Sequence, residues 1–205
     1  MIRRKYGALL KRALRSAPVV LLLGPRQCGK TTLAKTLSPD YYDAEKQEDI
    51  LRLNALWGER IRGRALVIDE AQMLPEVFPR IRAAVDENRK ANGQFLLLGS
   101  VSPSLMRQVS ESLAGRTYIV EMTPFLLTEL PKGPVERSWI YGGFPDGGIL
   151  NGRDFQRWQA DYLDLLARRD LPMWGLPAKP QITLRLFRMI AALHGQEWNA
   201  TEVGG

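Results

Sequence analysis

The stretch VVLLLGPRQCGKTTL, residues 19–33, decides the fold. Its first five residues are apolar without polar alternation, which is typical of a strand buried on both faces of a parallel sheet. The next eight residues, GPRQCGKT, fit the pattern G-x-x-x-x-G-K-[ST], in which a glycine-bounded loop connects a strand to a helix. We therefore expect a buried strand, a tight loop and a helix in direct succession.

The loop predicts a binding site for the phosphates of a nucleoside triphosphate. Backbone N–H groups of such a loop, together with the N-terminus of the following helix, surround phosphate oxygens. Lys30 is expected to reach the β- and γ-phosphates, and the hydroxyl group of Thr31 is expected to hold Mg²⁺. A chance match at an ordinary strand–helix turn is the alternative. The loop residues are Gly24, Pro25, Arg26, Gln27, Cys28 and Gly29.

A second apolar segment, ALVIDE at residues 65–70, ends in two acidic side chains. An Asp at the end of a hydrophobic strand is the usual counterpart of such a loop, because its carboxylate helps to hold the magnesium ion. We expect Asp69 in that role, and we expect Glu70 to polarise the attacking water. The alternative is a pair of surface acids that simply follow a strand.

Ser100 and Arg116 are two further candidates. Ser100 follows the apolar run FLLLG, and a polar side chain at the carboxyl end of a central strand points into the crevice where ligands bind. It would orient water or sense the γ-phosphate there, or else it is an N-cap or turn serine. Arg116, in ESLAGRTYIV, would act in trans: it would enter the site of a neighbouring subunit and neutralise the charge of the transition state there. The alternative is a surface arginine that begins a strand.

The chain of 205 residues contains one cysteine, Cys28, and one histidine, His194. This composition excludes an internal disulfide and a cysteine-rich zinc site, and it implies a reducing, cytoplasmic setting. Cys28 is either no more than a small residue that fits the loop or, because it lies near Lys30 and a helix N-terminus, a thiol whose thiolate form is favoured. No nucleophilic role is expected of it. His194 is expected to be a packing or surface residue.

The net charge of +7 is concentrated at the N-terminus. Residues 1–16 hold six basic side chains and no acidic one, and their apolar residues recur at helical spacing. We expect an amphipathic helix whose basic face is either solvated or in contact with nucleic-acid phosphates. The apolar run at residues 19–23 is too short for a signal peptide or a membrane span.

Short apolar runs alternate with helical patterns as far as residue 131. This alternation predicts an α/β domain with a mainly parallel sheet covered by helices. The expected strands are residues 19–23, 41–43, 65–69, 94–99 and 116–122, and the expected helices lie near 30–38, 47–61, 76–91 and 102–114. A segment rich in proline and glycine follows, and then two helical patterns at residues 153–170 and 181–194. The last residues resemble the entry to another helix, so we expect a longer protein of which this is the N-terminal part.

Six segments occur together in an order that is specific to one family: GPRQCGKTTL, LVIDEAQMLPEVFPRIRAAVDE, FLLLGSVSPSLMRQVSESLAGR, MTPFLLTEL, GGFPD and YLDLLARRD. They resemble the AAA-type ATP-binding proteins of bacteria and archaea, in which the ATPase domain precedes an uncharacterised C-terminal region. The resemblance implies a three-layer α/β/α P-loop domain, then a small helical segment, a winged helix and a nuclease-like domain. The corresponding ranges are residues 1–131 for the ATP-binding domain with its basic helix at 1–16, 132–180 for the linker and helical lid, and 181–205 for the start of a truncated winged helix.

The resemblance also implies roles for individual residues. Thr32 joins Gly24, Gly29, Lys30 and Thr31 in the Walker A motif. Asp69 and Glu70 match Walker B, Ser100 matches the first sensor, and Arg116 matches the arginine of the SLAGR segment. Arg168 and Arg169 fall where the family has an Arg-Asp pair, and a second sensor there is one interpretation.

These observations predict binding and Mg²⁺-dependent hydrolysis of ATP, in a DNA-linked or defence-linked setting. One alternative is a nucleotide-dependent binding switch with negligible turnover. Another is a P-loop kinase that passes the phosphoryl group to a small molecule, although neither an arginine-bearing lid nor an acceptor pocket is recognisable. The expected partners are a second copy of the chain, with Arg116 acting in trans, and DNA, through the basic helix and the winged helix. No membrane contact is expected.

Overall fold

Five parallel strands form one sheet. A computed structural model of the chain describes residues 2–60, 65–130, 135–150, 154–176 and 179–197. Contacts divide the chain into two compact units, Met1–Asn151 and Gly152–Gly205. The sheet belongs to the first unit. Its strands are β1 (Val19–Leu23), β2 (Tyr41–Asp43), β3 (Leu66–Asp69), β4 (Phe95–Gly99) and β5 (Thr117–Glu121). They lie side by side in the order β2-β3-β4-β1-β5.

Helices cover both faces of this sheet. Leu10 and Leu33 pack on one face, and they belong to the first two helices. Leu53, Phe78 and Leu105 pack on the other face, and they belong to the next three helices. The expected three-layer α/β/α architecture is therefore confirmed. The helices are α1 (Tyr6–Ser16) and α2 (Lys30–Lys35) on the first face, and α3 (Gln47–Arg60), α4 (Val77–Glu87) and α5 (Pro103–Ser112) on the second.

The continuous apolar sequence of β1 follows from its central position. Val19, Leu21 and Leu23 belong to the core beneath α3, α4 and α5. Val20 and Leu22 belong to the core beneath α1 and α2. Since successive side chains point to opposite faces of a strand, a strand covered on both faces needs an apolar residue at every position.

Strand register brings the candidate site residues to one edge of the sheet. Leu23, the last residue of β1, lies beside Gly99, the last residue of β4. In the neighbouring pair, Ile68 lies beside Leu97. The residues that follow the strands, among them Gly24, Glu70 and Ser100, therefore share the carboxyl edge, where ligands bind in open α/β sheets.

The first unit continues beyond the sheet with α6 (Val135–Tyr141). The second unit contains α7 (Phe155–Leu165), α8 (Leu171–Met173) and α9 (Pro180–Ala192). On α7 the rings of Phe155, Trp158 and Tyr162 stack, with centroids 6.4 and 5.1 Å apart. The domain limits near residues 131 and 180 stay predictions. So does the start of a winged helix, expected at residues 181–205, of which residues 198–205 lie outside the described residues.

Within the described ranges, no helix is long and apolar enough to cross a membrane.

Candidate nucleotide-binding site

Lys30 lies inside the loop that precedes it. Its Nζ atom donates hydrogen bonds to the carbonyl oxygens of Gly24 at 2.9 Å and of Pro25 at 3.0 Å. Only 5% of the residue is exposed. A buried ammonium group is costly unless polar groups surround it, and here backbone carbonyls supply that environment. The loop thus encloses a positive charge, which is the main requirement for binding a triphosphate.

Two glycines permit the close path of the loop. A Cβ atom at Gly24 would lie 2.4 Å from the carbonyl oxygen of Met122, which is backbone and cannot give way locally. Gly29 has φ +97°, a left-handed conformation that other residues adopt only with strain. Both glycines of the sequence pattern are therefore required by the backbone itself.

Thr31 and Asp69 connect the two predicted halves of the site. The Thr31 hydroxyl donates to Asp69 Oδ2 at 2.6 Å, although the residues are 38 positions apart in the sequence. The Tyr41 hydroxyl donates to the same oxygen at 2.7 Å. Burial, and then the hydrogen bond to Asp69, raises the pKa of Tyr41, so its phenol stays neutral and remains a donor. Sequence reasoning missed Tyr41, whose only signal was the strand YYD beside the acidic strand.

These oxygen atoms fit a magnesium ion. Mg²⁺ is usually bound through one or two carboxylates together with water and substrate phosphates, and not by a complete cage of protein ligands. Thr31 and Asp69 supply a hydroxyl and a carboxylate at the edge where the loop would place phosphates. Among the described residues there is no group of three or more His, Cys, Asp or Glu side chains that could hold a metal ion alone.

Glu70 follows β3 and has φ 48°, which is unusual for a residue with a side chain. Gln72 donates from Nε2 to Glu70 Oε2 and so fixes the carboxylate. Strained backbone of this kind occurs preferentially at functional sites, where surrounding contacts maintain it. Gln72 was not a candidate from the sequence, because its contact depends on the turn that follows β3.

Ser100 does not cap the helix that follows it. The N-cap of α5 is Ser102, whose side chain accepts a hydrogen bond from the backbone N–H of Leu105. Ser100 is buried, and within the described part of the chain its Oγ atom has no hydrogen-bond partner. The same holds for Oε1 of Gln72. Buried polar atoms without a protein partner are rare, and such an atom binds ordered water or a ligand or has a functional role.

Arg116 lies at the end of the sheet where the strands begin, opposite the carboxyl ends that the phosphate loop follows. It directly precedes β5, whose first residue, Thr117, lies beside Val19 at the start of β1. The loop follows the other end of β1, roughly 13 Å away at the usual rise of a strand. The Arg116 side chain is bound to Asp86, with Nη2 2.8 Å from Oδ1 and Nε 3.1 Å from the same oxygen. This hydrogen bonding holds the pKa of the Asp86 carboxyl below its usual range.

The expected thiolate character of Cys28 is wrong. The side chain is fully buried, and its Sγ atom lies 3.9 Å from the Met122 carbonyl oxygen. Burial raises the pKa of the thiol, although the charge of Lys30 acts in the opposite direction. Cys28 is therefore a small core residue beneath the loop, and alkylation is not a suitable probe of nucleotide binding.

The remaining candidates of the loop and of the first turn of α2 are at least partly exposed. Arg26 lies 3.7 Å from Glu45 in a partly exposed ion pair, and Gln27 has φ 61° at the turn of the loop. Thr32 is exposed. It lines a cavity of about 1020 Å³ beside the first turn of α2, together with Gly29, Leu33, Phe125 and other residues of the first unit.

Arg168 of the helical segment forms its contact within the second unit. Arg168 donates to Asp164, one turn earlier, with Nε 2.7 Å from Oδ2. Asp170 is buried. A sensor role for Arg168 or Arg169 stays a prediction. His194 is exposed and is therefore a surface residue, one of the two alternatives expected from the sequence.

Comparison with known proteins gives matches at two levels. Residues 16–130 match the family described as AAA domain. Two curated relatives, the uncharacterized proteins Mb2031c of Mycobacterium bovis and Rv2008c of Mycobacterium tuberculosis, are each 38% identical over 210 residues. The alignment covers 98% of this chain and 47% of each relative, so the chain spans about half of their length.

A solved structure, a variant of Thermotoga maritima RuvB, aligns at 19% identity with a TM-score of 0.42, over 98% of this chain and 67% of that one. The family match extends from the end of α1 to the segment after β5, and thus includes the whole sheet and the loop. It covers more than half of the sequence. The chain belongs to the AAA domain family.

Proposed function

We propose that this protein binds Mg²⁺ and ATP at the carboxyl edge of its sheet and hydrolyses the nucleotide there. Membership of the AAA domain family supports nucleotide binding by a P-loop ATPase domain. The contact between Thr31 Oγ1 and Asp69 Oδ2 carries the finer proposal, because it joins the phosphate loop to the acidic strand end. If the motif were a chance match at an ordinary strand–helix turn, we would not expect it to contact the end of β3, where the Asp-Glu pair lies.

Each side chain then has a role that its position permits. Lys30 exchanges its bonds to the Gly24 and Pro25 carbonyls for bonds to phosphate oxygens. Thr31 and Asp69 would hold Mg²⁺, which when bound would neutralise charge on the phosphates. Glu70, held by Gln72, orients the attacking water and accepts its proton.

Ser100 is suited to recognise the γ-phosphate. Its hydroxyl group lies one residue beyond the end of β4, next to the end of β1 where the loop begins. The hydroxyl can donate a hydrogen bond, and no described residue of the chain accepts one from it. A γ-phosphate oxygen would accept this hydrogen bond. Ser100 would therefore distinguish a bound nucleoside triphosphate from a diphosphate, which lacks that oxygen.

The cavity beside α2 is suited to the nucleoside. It adjoins Gly29 and Thr32 at the end of the loop, and its lining includes the apolar side chains of Leu33, Phe125 and Leu150. Its volume of about 1020 Å³ lies at the upper end of the range for small-molecule sites. The preference for adenine over other bases rests on the family resemblance and belongs to the proposal.

The first test is the release of inorganic phosphate from ATP in ¹⁸O-labelled water, with and without a pool of small-molecule acceptors. Hydrolysis predicts ADP and labelled phosphate in equal amounts, dependent on Mg²⁺ and independent of the acceptors. A phosphorylated acceptor would indicate a kinase instead. Tight nucleotide binding without phosphate release would indicate a binding switch.

Arg116 supports a proposal about assembly. Because Arg116 lies at the edge opposite its own loop, it can act only on the site of another copy, after leaving Asp86. We expect turnover per chain to rise with protein concentration. Arg116→Ala should lower turnover at least about tenfold with little change in affinity, since such an arginine neutralises transition-state charge. Steady-state hydrolysis and calorimetric titration measure the two quantities.

Arg89→Ala is the matched control, because Arg89 lies 3.5 Å from the same Asp86 carboxylate. It should leave turnover unchanged. Mixing Arg116→Ala with Lys30→Ala chains should restore part of the activity, since an intact arginine can then meet an intact loop. Turnover that is independent of concentration and unaffected by Arg116→Ala would contradict assembly of this kind.

A DNA-linked or defence-linked role in the cytoplasm remains part of the proposal. The N-terminal segment and α1 present an exposed basic surface, which could contact nucleic-acid phosphates. Its exposed cations are Arg3, Lys5, Lys11, Arg12 and Arg15. Arg4, the sixth cation of this region, is directed inward.

A further inference from the structure

Arg4 is bound inside the first unit instead of belonging to the exposed basic surface. Its Nη1 atom donates to the Cys28 carbonyl oxygen at 2.9 Å. Its Nη2 atom donates to the carbonyl oxygens of Thr123 at 2.6 Å and of Pro124 at 3.2 Å. Its Nε atom donates to Glu129 Oε1 at 3.3 Å. The side chain is 7% exposed, and it connects the N-terminal segment, the phosphate loop and the segment after β5.

The ion pair alone does not explain this arrangement. Glu129 is fully buried, but its carboxylate also accepts backbone N–H groups from Lys5 at 2.6 Å and from Leu126 at 3.0 Å. A buried pair needs additional hydrogen bonds to offset the loss of water, and here both members have them. The bond from Arg4 to the loop carbonyl is a separate contact that neutralising Glu129 does not require.

The loop contact has a geometric consequence for phosphate binding. The Cys28 carbonyl and the Gly29 N–H belong to one planar trans peptide, in which they point in opposite directions. When Arg4 holds the carbonyl, the N–H is directed away from Arg4, and the left-handed conformation of Gly29 completes the turn into α2. That N–H is one of the loop donors that would surround a phosphate. Since Arg4 holds the carbonyl of the same peptide, the orientation of this donor is set by a residue 24 positions before Cys28.

The segment after β5, which Arg4 also binds, is itself held by hydrogen bonds. Thr123 donates its N–H to the Tyr6 hydroxyl at 3.2 Å, and the Met122 N–H binds the Leu23 carbonyl at 2.7 Å. The guanidinium group lies over the ring of Phe125, 4.6 Å from its centroid. Arg4 therefore cannot rotate away from the loop without losing several contacts, and its position fixes that of the Cys28–Gly29 peptide.

We propose that Arg4 is a positioning residue of the nucleotide site, which holds the Cys28–Gly29 peptide in the orientation that binds phosphate. Lysine cannot replace it, because a single ammonium group cannot bind Glu129 and the loop carbonyl with the geometry of a planar fork. Such an ammonium group would stay with the Glu129 carboxylate and leave the Cys28 carbonyl unbound. The proposal rests on the proposed function, namely nucleotide binding at the loop.

The experiment compares wild type with Arg4→Lys by calorimetric titration with Mg·ADP and by steady-state hydrolysis of ATP. We expect Arg4→Lys to weaken ADP binding about tenfold, because one preorganised donor to a charged phosphate is lost. KM for ATP should rise by a similar factor while kcat stays within about twofold. The reason is that the variant loses an interaction of equal strength in the ground state and in the transition state. Arg4→Gln, measured in the same way, covers the case in which the lysine variant does not fold.

Two controls separate positioning from general stability. Ile81→Val removes a methyl group from the fully buried core beneath α4, so it lowers the thermal midpoint without touching the loop. Arg12→Lys repeats the substitution at an exposed site on α1. Neither should change ADP affinity.

Wild-type affinity in both Arg4 variants, or an equal loss of affinity in Ile81→Val, would overturn the role of Arg4 while nucleotide binding stands. Absence of nucleotide binding by the folded wild-type protein would overturn the site and the role of Arg4 together.

Discussion

Lys30→Ala is expected to weaken Mg·ATP binding about 100-fold or more, which corresponds to roughly 3 kcal/mol. The wild-type ammonium group is held inside the loop by the Gly24 and Pro25 carbonyls, and 5% of the residue is exposed. Phosphate oxygens can take over both bonds without a large movement of the side chain. The variant loses a preorganised, charge-assisted contact that no neighbouring residue supplies in the same place. Calorimetric titration with a non-hydrolysable ATP analogue measures the difference directly.

Lys35→Ala is the matched control for this experiment. Lys35 lies on the same helix, but it is exposed and its Nζ atom lies over the Tyr41 ring, 4.3 Å from the centroid. Its removal changes the net charge equally and should leave affinity within about twofold, because exposed charges are screened by solvent. Equal affinity of wild type and Lys30→Ala would exclude the loop as the phosphate site. A thermal scan without nucleotide shows whether both variants are folded.

Glu70→Gln is expected to retain ATP binding and to lower hydrolysis by about 10²–10⁴-fold, the usual contribution of a general base. This corresponds to roughly 3–5 kcal/mol in the activation barrier. The amide keeps the size of the side chain and one oxygen that can accept the bond from Gln72, so the turn after β3 should persist. Only the ability to take a proton from water is lost. Quenched-flow measurement of phosphate release under single-turnover conditions isolates this step.

Glu76→Gln tests whether the loss is specific to Glu70. Glu76 is an exposed acid at the start of α4, close to Glu70 in the sequence but outside the turn after β3. It should hydrolyse ATP at the wild-type rate. If Glu70→Gln also turned over at the wild-type rate, Glu70 would have no part in the mechanism. If the wild-type protein itself bound ATP without hydrolysis, the chain would act as a nucleotide switch.

The sheet could be predicted because its sequence signal is local. β1, β3 and β4 are apolar at nearly every position, and a strand covered on both faces requires this pattern wherever it lies in the chain. The loop was equally predictable, since both glycines satisfy constraints set by the nearby backbone. With parallel strands, these two signals suffice to place the loop and the Asp-Glu pair at one edge of the sheet.

The contacts around the loop could not be predicted, because they join residues that are distant in the sequence. Arg4 binds Glu129 across 125 positions, and nothing in the basic N-terminal pattern distinguishes it from its exposed neighbours. The position of Cys28 near Lys30 favoured a thiolate form, but the burial of its side chain depends on packing against Met122. The choice of Ser102 over Ser100 as the cap of α5 depends on where that helix begins.

The central claim is that the loop at residues 24–29, with Lys30 and Thr31 at the start of α2, holds the triphosphate of ATP. The most direct measurement is a crystal structure of the full chain with Mg²⁺ and a non-hydrolysable ATP analogue. We expect the triphosphate to lie along the loop, with Lys30 Nζ bonded to phosphate oxygens instead of the Gly24 and Pro25 carbonyls. The nucleoside should occupy the cavity beside α2. An analogue bound elsewhere on the chain, with Lys30 still bound to those two carbonyls, would contradict the claim.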